Sequence, residues 1–316
     1  MSMKVVKMKF LPIAFDSIGV RSMASLLRTP YHCIFIDPAV ALAPRRYGIP
    51  PTKLEKYAQQ LARERIMMAA EKCDVIFVSH YHYDHHPRPH DDEMYEKIFR
   101  DKIVFAKNPN ENVNFSAKKR GYVFTKKVEK LCKKLFWADG VIFDDVEFSP
   151  AVWHGNENSR VGFVVMMFVS DGKVDFLYGS DAQSLGDDNA KNWVISKNPD
   201  IMVIDGFPTN FIGWRISQQN FDKASANLFE VLEKTKVKEI LMDHHAIRDL
   251  NYREKLKPLF DLAKSKNKKL LTLAEYIGLE NLLLEGYRKE LAAETYNPKK
   301  EIDEIHEYIV DLIEKF

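Results

Sequence analysis

The chain has 316 residues, 46% hydrophobic and 29% charged, a globular balance that excludes wholesale disorder. Lys plus Arg number 47 and Asp plus Glu 45, so the net charge of +2 argues against a dedicated nucleic-acid coat or an acidic tail protein. The length suits about two domains, or one large sandwich or barrel, and can bury a sizeable core.

In chain order, 20–27 and 31–37 read as an early pair of strands, the second ending at Pro38, which cannot continue a ladder. A Pro-rich connection (Pro38, Pro44, Pro50, Pro51) leads to a helix over 54–72, with Thr52 as its cap. The run 74–78 is continuously apolar and reads as a strand buried on both faces. A short helix (93–100), a strand (103–106) and a Lys-rich stretch (118–134) follow, then strand-like runs at 141–148, 161–169 and 174–178. The last third alternates: strand 201–204, helix 221–234, strand 240–242, helix 253–264, strand 269–271. Two helices, about 273–291 and 301–316, close the chain. Short apolar strands on helix-bearing connections favour an α/β layered sandwich with helices outside. No short repeat or low-complexity linker breaks the sequence, so one domain spanning 1–316, with C-terminal helices from about 273, is the expected organisation.

Cys33, Cys73 and Cys132 are sparse, odd in number and form no CxxC, which fits a reducing compartment. The first fifteen residues scatter Lys through their apolar run and lack a cleavage site, so they do not read as a signal peptide. The longest apolar run, 161–169, is half of what a membrane span needs. A cytoplasmic protein without a membrane partner is expected.

The informative segment is Ser79-His80-Tyr81-His82-Tyr83-Asp84-His85-His86, four histidines in eight residues directly after an apolar strand. His80 and His82 are two apart in extended chain and point to one side; a turn after them brings Asp84 and His85 round. Imidazole suits zinc and its transition-metal neighbours, and a carboxylate adds charge. Three further strand ends offer more donors: His154, Asp181, and His244 or His245.

That order, His-x-His-x-Asp-His after a buried strand, then a His, an Asp after Gly-Ser and a late His, resembles the metallo-β-lactamase superfamily over about residues 20–248. The strings Gly19-Val-Arg-Ser-Met23, Ala41-Leu-Ala-Pro-Arg-Arg-Tyr-Gly48 and Asp243-His-His-Ala-Ile-Arg-Asp249 look like an archaeal branch of it. The resemblance implies a four-layer αββα sandwich but no substrate. It makes His80, His82 and His154 the ligands of one metal, and Asp84, His85 and a late histidine those of a second, with Asp181 bridging. His244 is preferred as the late ligand, because the related pattern places a His four residues before an Arg, here Arg248. His245 is then substrate-facing or supports a ligand, and His86 lies outside the shared motif.

Two divalent ions, zinc expected, imply hydrolysis of an ester, lactone, amide or phosphodiester by a metal-bound hydroxide, with Asp84 as the catalytic carboxylate. Asp37, Ser79, Ser180, Asp205 and Asp243 are candidates for fixing the ring tautomers. Arg45, Arg46, Arg160, Arg215 and Arg248 are candidate anion contacts, and Trp153 and Trp214 candidate walls. A small-molecule substrate is favoured. The alternatives are an iron-dependent redox enzyme on the same fold, disfavoured by His82 where a di-iron site calls for a carboxylate, and a metal-dependent nuclease. The basic, aromatic stretch 118–127 reads as a solvated face rather than a nucleic-acid strip.

Overall fold

The computed structural model describes residues 8–316, so the first seven residues of the N-terminal run lie outside it. In chain order, β1 (Lys9–Phe15), β2 (Met23–Arg28) and β3 (Cys33–Ile36) pair antiparallel, and β4 (Val75–Val78), β5 (Ile103–Ala106) and β6 (Lys134–Trp137) extend that sheet in parallel. β7 (Ile142–Phe143) and β8 (Val146–Phe148) open a second sheet. β9 (Val152–Trp153) and β10 (Phe163–Val164) form a separate ribbon. β11 (Met167–Ser170) and β12 (Asp175–Tyr178) return antiparallel, and β13 (Ile201–Ile204), β14 (Glu239–Met242) and β15 (Lys269–Leu271) complete the second sheet in parallel.

Strand alternation shows the layers. Phe176, Tyr178, Val203 and Leu241 belong to the same core as the first sheet, whereas Leu177, Met202, Ile204, Ile240 and Met242 pack with helices on the other side. Rings meet across the inter-sheet core: Phe10 and Phe176 at 5.0 Å, Phe77 and Phe148 at 4.8 Å between centroids. Crossover helices α1 (Lys53–Ala70), α2 (Asp92–Phe99) and α3 (Phe115–Val128) cover the first sheet. α4 (Asp188–Lys197), α5 (Gln218–Lys234), α6 (Tyr252–Lys255) and α7 (Lys257–Ser265) cover the second. The order is therefore αββα. Short α8 (Leu273–Tyr276) and α9 (Arg288–Ala292) precede α10 (Lys299–Glu314), whose Ile302, Ile305, Ile309 and Ile313 pack towards α1 and β1. No helix of the described residues is long and apolar enough to cross a membrane.

Several elements differ from the sequence expectation, each for a local reason. The helix expected over 273–291 is broken between Tyr276 and Arg288. Gly278 there takes φ +82°, Leu282 donates its N–H to the Ser17 carbonyl, and Glu285 pairs with Arg21, so the segment is anchored as a loop over the β1–β2 turn. The run 141–148 is a hairpin turned at Asp144, with φ +51°. The run 161–169 splits between the ribbon and the second sheet, where the Val165 N–H bonds the Ser79 carbonyl. The helix expected over 253–264 divides at Leu256, just before Pro258. β1 carries Pro12 and escaped the sequence reading. It sits at a sheet edge with a register shift beside that proline, where a missing donor is tolerated. The Lys-rich stretch is largely α3, with Gly121 and Phe124 buried and most of its lysines turned outward.

Candidate metal centre

The chemistry-bearing residues sit just beyond the carboxyl ends of strands from both sheets and of β9 in the ribbon, the end at which open α/β sheets place their ligands. Asp37 follows β3, the Ser79–His86 loop follows β4, His154 follows β9, Asp181 follows β12, Asp205 follows β13, and Asp243, His244 and His245 follow β14. Each strand is apolar and nearly all buried, so the first residues past its end are where the chain can turn polar groups inward. Asp37, Ser180 and His244 do so in left-handed backbone (φ +45°, +50° and +58°), an uncommon region for non-glycine residues that clusters at functional sites.

The structure brings His80, His82, Asp84, His85, His154, Asp181 and His244 into one cluster. One donor atom from each of His80, His82, His154 and Asp181 lies within 4.8 Å of the other three. Asp84, His85 and His244 form a second such group, and Asp181, His244 and His245 a third. Asp181 stands in the middle: its Oδ2 is 3.2 Å from both His85 Nε2 and His154 Nε2 and 3.5 Å from His80 Nε2, and its Oδ1 is 3.7 Å from His244 Nε2. Asp84 Oδ2 is 3.6 Å from His244 Nε2. None of these approaches is a hydrogen bond. The Nε2 atoms of His80, His85 and His154 and both Asp181 oxygens are buried without a partner.

The other nitrogen of most of these rings is held. His85 Nδ1 meets Asp37 Oδ2 at 2.8 Å, His244 Nδ1 meets Asp16 Oδ2 at 2.6 Å, and His245 Nδ1 meets Asp205 Oδ2 at 2.6 Å. His80 Nδ1 lies 3.1 Å from Ser79 Oγ and His154 Nδ1 3.3 Å from Gln183 Nε2. A carboxylate at Nδ1 holds a proton there and aims Nε2 at the cluster, the arrangement found around metal-ligating histidines. Asp37 joins the two sheets: its Oδ2 also accepts from Ser79 Oγ at 2.6 Å and from Tyr178 of the second sheet at 2.5 Å, and its Oδ1 from the Ser79 N–H at 2.7 Å. Ser180 Oγ donates to Ser79 Oγ at 2.7 Å. Asp243 touches no ring; it accepts from the backbone N–H groups of Ser17, His244 and Leu273.

Six carboxylates (Asp16, Asp37, Asp84, Asp181, Asp205, Asp243) crowd this region, and the guanidinium among them is that of Arg248, bonded to Asp16 at 2.8 Å and 3.7 Å from Asp84. Without cations, burial alone would push the Asp84 and Asp181 carboxyls up. The facing His85 and His244, with Arg248 at Asp84 and His245 at Asp181, hold both below the usual carboxylate range. Burial drives His80 and His245 down and His82 to about 3, so neutral imidazole is the favoured form there. Burial and the nearby Asp181 push Asp205 up, and burial pushes Asp243 to about 6.

The remaining sequence candidates separate. Arg45, Arg46, Arg215 and Trp214 line one cavity, whereas Arg160 is exposed elsewhere and Trp153 stacks on Phe163. His86 is buried among the rings of Tyr81, Tyr83 and Phe124. Asp16, Tyr178 and Gln183 were missed. Asp16 carries the signature that revealed the others, an acid at the end of an apolar strand, but its strand was not recognised. Tyr178 lies within its strand, where sequence reads it as core.

The UPF0282 protein of Thermococcus sibiricus is 42% identical over 296 residues, covering 90% of this chain and 94% of the relative. That of Pyrococcus furiosus is 40% identical over 90% of this chain and 92% of the relative, and that of Methanopyrus kandleri 36% over 91% of this chain and 100% of the relative. The chain belongs to the UPF0282 family. No family model matches this UPF0282 chain. Solved structures that align with it include a metal-dependent hydrolase of the β-lactamase superfamily, 12% identical over 84% of this chain and 96% of that one, with a TM-score of 0.49. Another is an isothiocyanate hydrolase from Delia radicum gut bacteria, 12% identical over 84% and 95%, with a TM-score of 0.48.

Proposed function

We propose that this UPF0282 protein is a metal-dependent hydrolase with a dinuclear, zinc-type centre. The observation that carries the reading is the convergence of buried, unpartnered donors: three histidine Nε2 atoms and both oxygens of Asp181. Each buried polar atom without a partner costs about 1–3 kcal/mol, and a cation between them removes that cost. Charge points the same way, since Asp37, Asp84 and Asp181 converge on the histidines while the nearby guanidinium, Arg248, is bonded to Asp16. In this reading His80, His82 and His154 would hold one ion and Asp84, His85 and His244 the other, with Asp181 available to either. All are nitrogen or carboxylate donors, the set that suits zinc and its neighbours.

Divalent ions held there would supply a water acidified to a pKa of about 7 and would offset charge developing on the scissile group. The chain's own residues supply the rest. Asp84 is the part-exposed carboxylate of the cluster, kept ionised by its histidine and Arg248 neighbours, and so can orient a water or take its proton. His245, anchored to Asp205 through Nδ1 and kept neutral by burial, presents its Nε2 lone pair 3.9 Å from Asp181, where it can accept a proton. The reactions open to this arrangement are hydrolyses of esters, lactones, amides and phosphodiesters.

The test is metal analysis of the chain purified without added metal, joined to turnover of an aryl phosphodiester, an aryl ester and a lactone. Two zinc ions per chain are expected, with turnover lost on chelation and restored by zinc. Iron in place of zinc without hydrolysis, or unchanged turnover in Asp84→Ala, overturns the reading.

A further inference from the structure

Beside the metal cluster lies a cavity of about 1130 Å³, walled by the Ala43–Gly48 segment, the turn from Asn210 to Arg215, and Glu285. It lies on the Arg248 side of the centre. Arg46 Nη2 donates to the Arg248 carbonyl at 2.7 Å, and the Arg248 guanidinium is 3.7 Å from Asp84.

The charges of the cavity do not balance. Its two carboxylates are already engaged, Glu285 with Arg21 at 2.6 Å and Asp249 with Lys255 at 2.7 Å. Arg45, Arg46 and Arg215 also line it; among the described residues none of them forms a direct ion pair with a carboxylate, although Arg46 acts on Glu285 from further off. Three guanidiniums around one space repel one another and call for an anion; their planar forks suit phosphate. The lining also leaves one buried donor, Arg46 Nε, and one buried acceptor, Asn210 Oδ1, without partners.

The aromatic residues narrow the choice. Trp214 is 70% exposed, with the Arg215 Cζ 4.3 Å from its ring centre, whereas Tyr47, 46% exposed, already has Arg46 Cζ at 4.7 Å and Lys289 Nζ at 4.6 Å over its ring. An arginine-backed aromatic face is a stacking platform for a base, and stacking tolerates any base. An inorganic anion would need neither the platform nor the volume. A fatty ligand would gain nothing from the arginines. A small lactone fills a fraction of a space at the top of the ordinary ligand range of about 300–1,000 Å³.

We propose that this cavity is a nucleotide-binding subsite: phosphate on Arg45, Arg46 and Arg215, and the base against Trp214. The nucleotide is either free or the end of a nucleic-acid strand. This deepens the hydrolase reading by naming its substrate class, and it is tested by binding alone, so the two fail separately.

The experiment uses the full, metal-loaded chain and follows tryptophan fluorescence and binding heat. The probes are adenosine 5′-monophosphate, inorganic phosphate and a short oligoriboadenylate. Adenosine monophosphate is expected to quench Trp214 and to bind at least tenfold more tightly than phosphate. Arg215→Ala and Trp214→Ala should each weaken it tenfold or more, about 1.4 kcal/mol, with melting temperatures unchanged, since both side chains are exposed. An oligonucleotide that binds tighter still, with steep salt dependence, identifies a strand end; equal affinity identifies the free nucleotide. Phosphate binding as tightly as the nucleotide, no binding of either nucleotide probe at millimolar concentration, or wild-type affinity in both variants overturns the proposal.

Discussion

Asp37→Asn isolates the tie between fold and site. The Asp37 Oδ1 atom accepts from the Ser79 N–H, and Oδ2 gathers Ser79 Oγ, Tyr178 Oη and His85 Nδ1. Asparagine keeps the size, tolerates the left-handed backbone at this position, and can keep its carbonyl on Ser79, but it then turns an NH2 towards the other three. The two hydroxyls can rotate to accept. The imidazole can accept only by giving up its Nδ1 proton, which moves to Nε2 and takes away the lone pair aimed at Asp181. Downgrading four bonds from the charge-assisted class, about 1.5–3 kcal/mol each, to the neutral class, about 0.5–1.5, costs about 4–6 kcal/mol, less whatever is regained by burying an amide instead of a carboxylate. Metal affinity should fall about 10–100-fold, the usual effect of losing a carboxylate behind a ligating histidine. Zinc competition against a chromophoric chelator measures the affinity, and melts with and without chelator separate it from stability. Zinc affinity within twofold of wild type would refute the idea that Asp37 sets the His85 tautomer.

Arg288→Met should destabilise the chain by about 3–5 kcal/mol in urea unfolding. It strands the buried Glu55, which Arg288 grips at 2.6–3.0 Å, and Glu55→Gln in the same chain should recover much of the loss. Glu285→Gln should cost about 3 kcal/mol at neutral pH. Burial raises the Glu285 carboxyl, but the Arg21, Arg248 and Arg46 charges overcome it and bring the pKa from 4.5 to about 2. Since that value is depressed in the folded state, the contribution is complete above pH 4.5 and lost as pH falls towards 2, so wild type and variant should converge in acid melts. Gly121→Ala should cost about 1–3 kcal/mol, because its Cβ would stand 2.7 Å from Tyr81 and Pro109; equal melting temperatures would refute the close approach. In zinc-per-chain measurements His244→Ala should lose more metal than His245→Ala, and the reverse result would exchange their roles.

The metal loop was legible because two signals coincide, a four-residue apolar strand and a histidine run beginning two residues after it. His154, Asp181 and His244 were legible only through their order along the chain, since each alone is an ordinary strand-end residue. Sequence could not show which side chain meets which ring. Asp16 comes from β1, some 228 positions from the histidine it orients, and Gln183 reaches His154 from a turn whose residues Gln183, Ser184 and Leu185 all take positive φ. The long C-terminal helix was misread because the leucines of 273–291 fall at helical spacing. Their burial is satisfied instead by a loop whose anchors, Ser17 and Arg21, lie at the other end of the chain. Local pattern reports periodicity well and distant tethering poorly.

The histidine loop hangs from the first sheet, Asp181 and His244 from the second, and His154 from the β9–β10 ribbon, with the chain passing from the first group to the others near Gly140. Neither half owns a full coordination sphere. Two peptides separated at that turn would each carry an incomplete set, and an added divalent ion would act as a rivet drawing them together. In the intact chain the same rivet favours the closed sandwich over any opening between the sheets, so occupancy of the centre should slow proteolysis at the seam as well as equip it for chemistry.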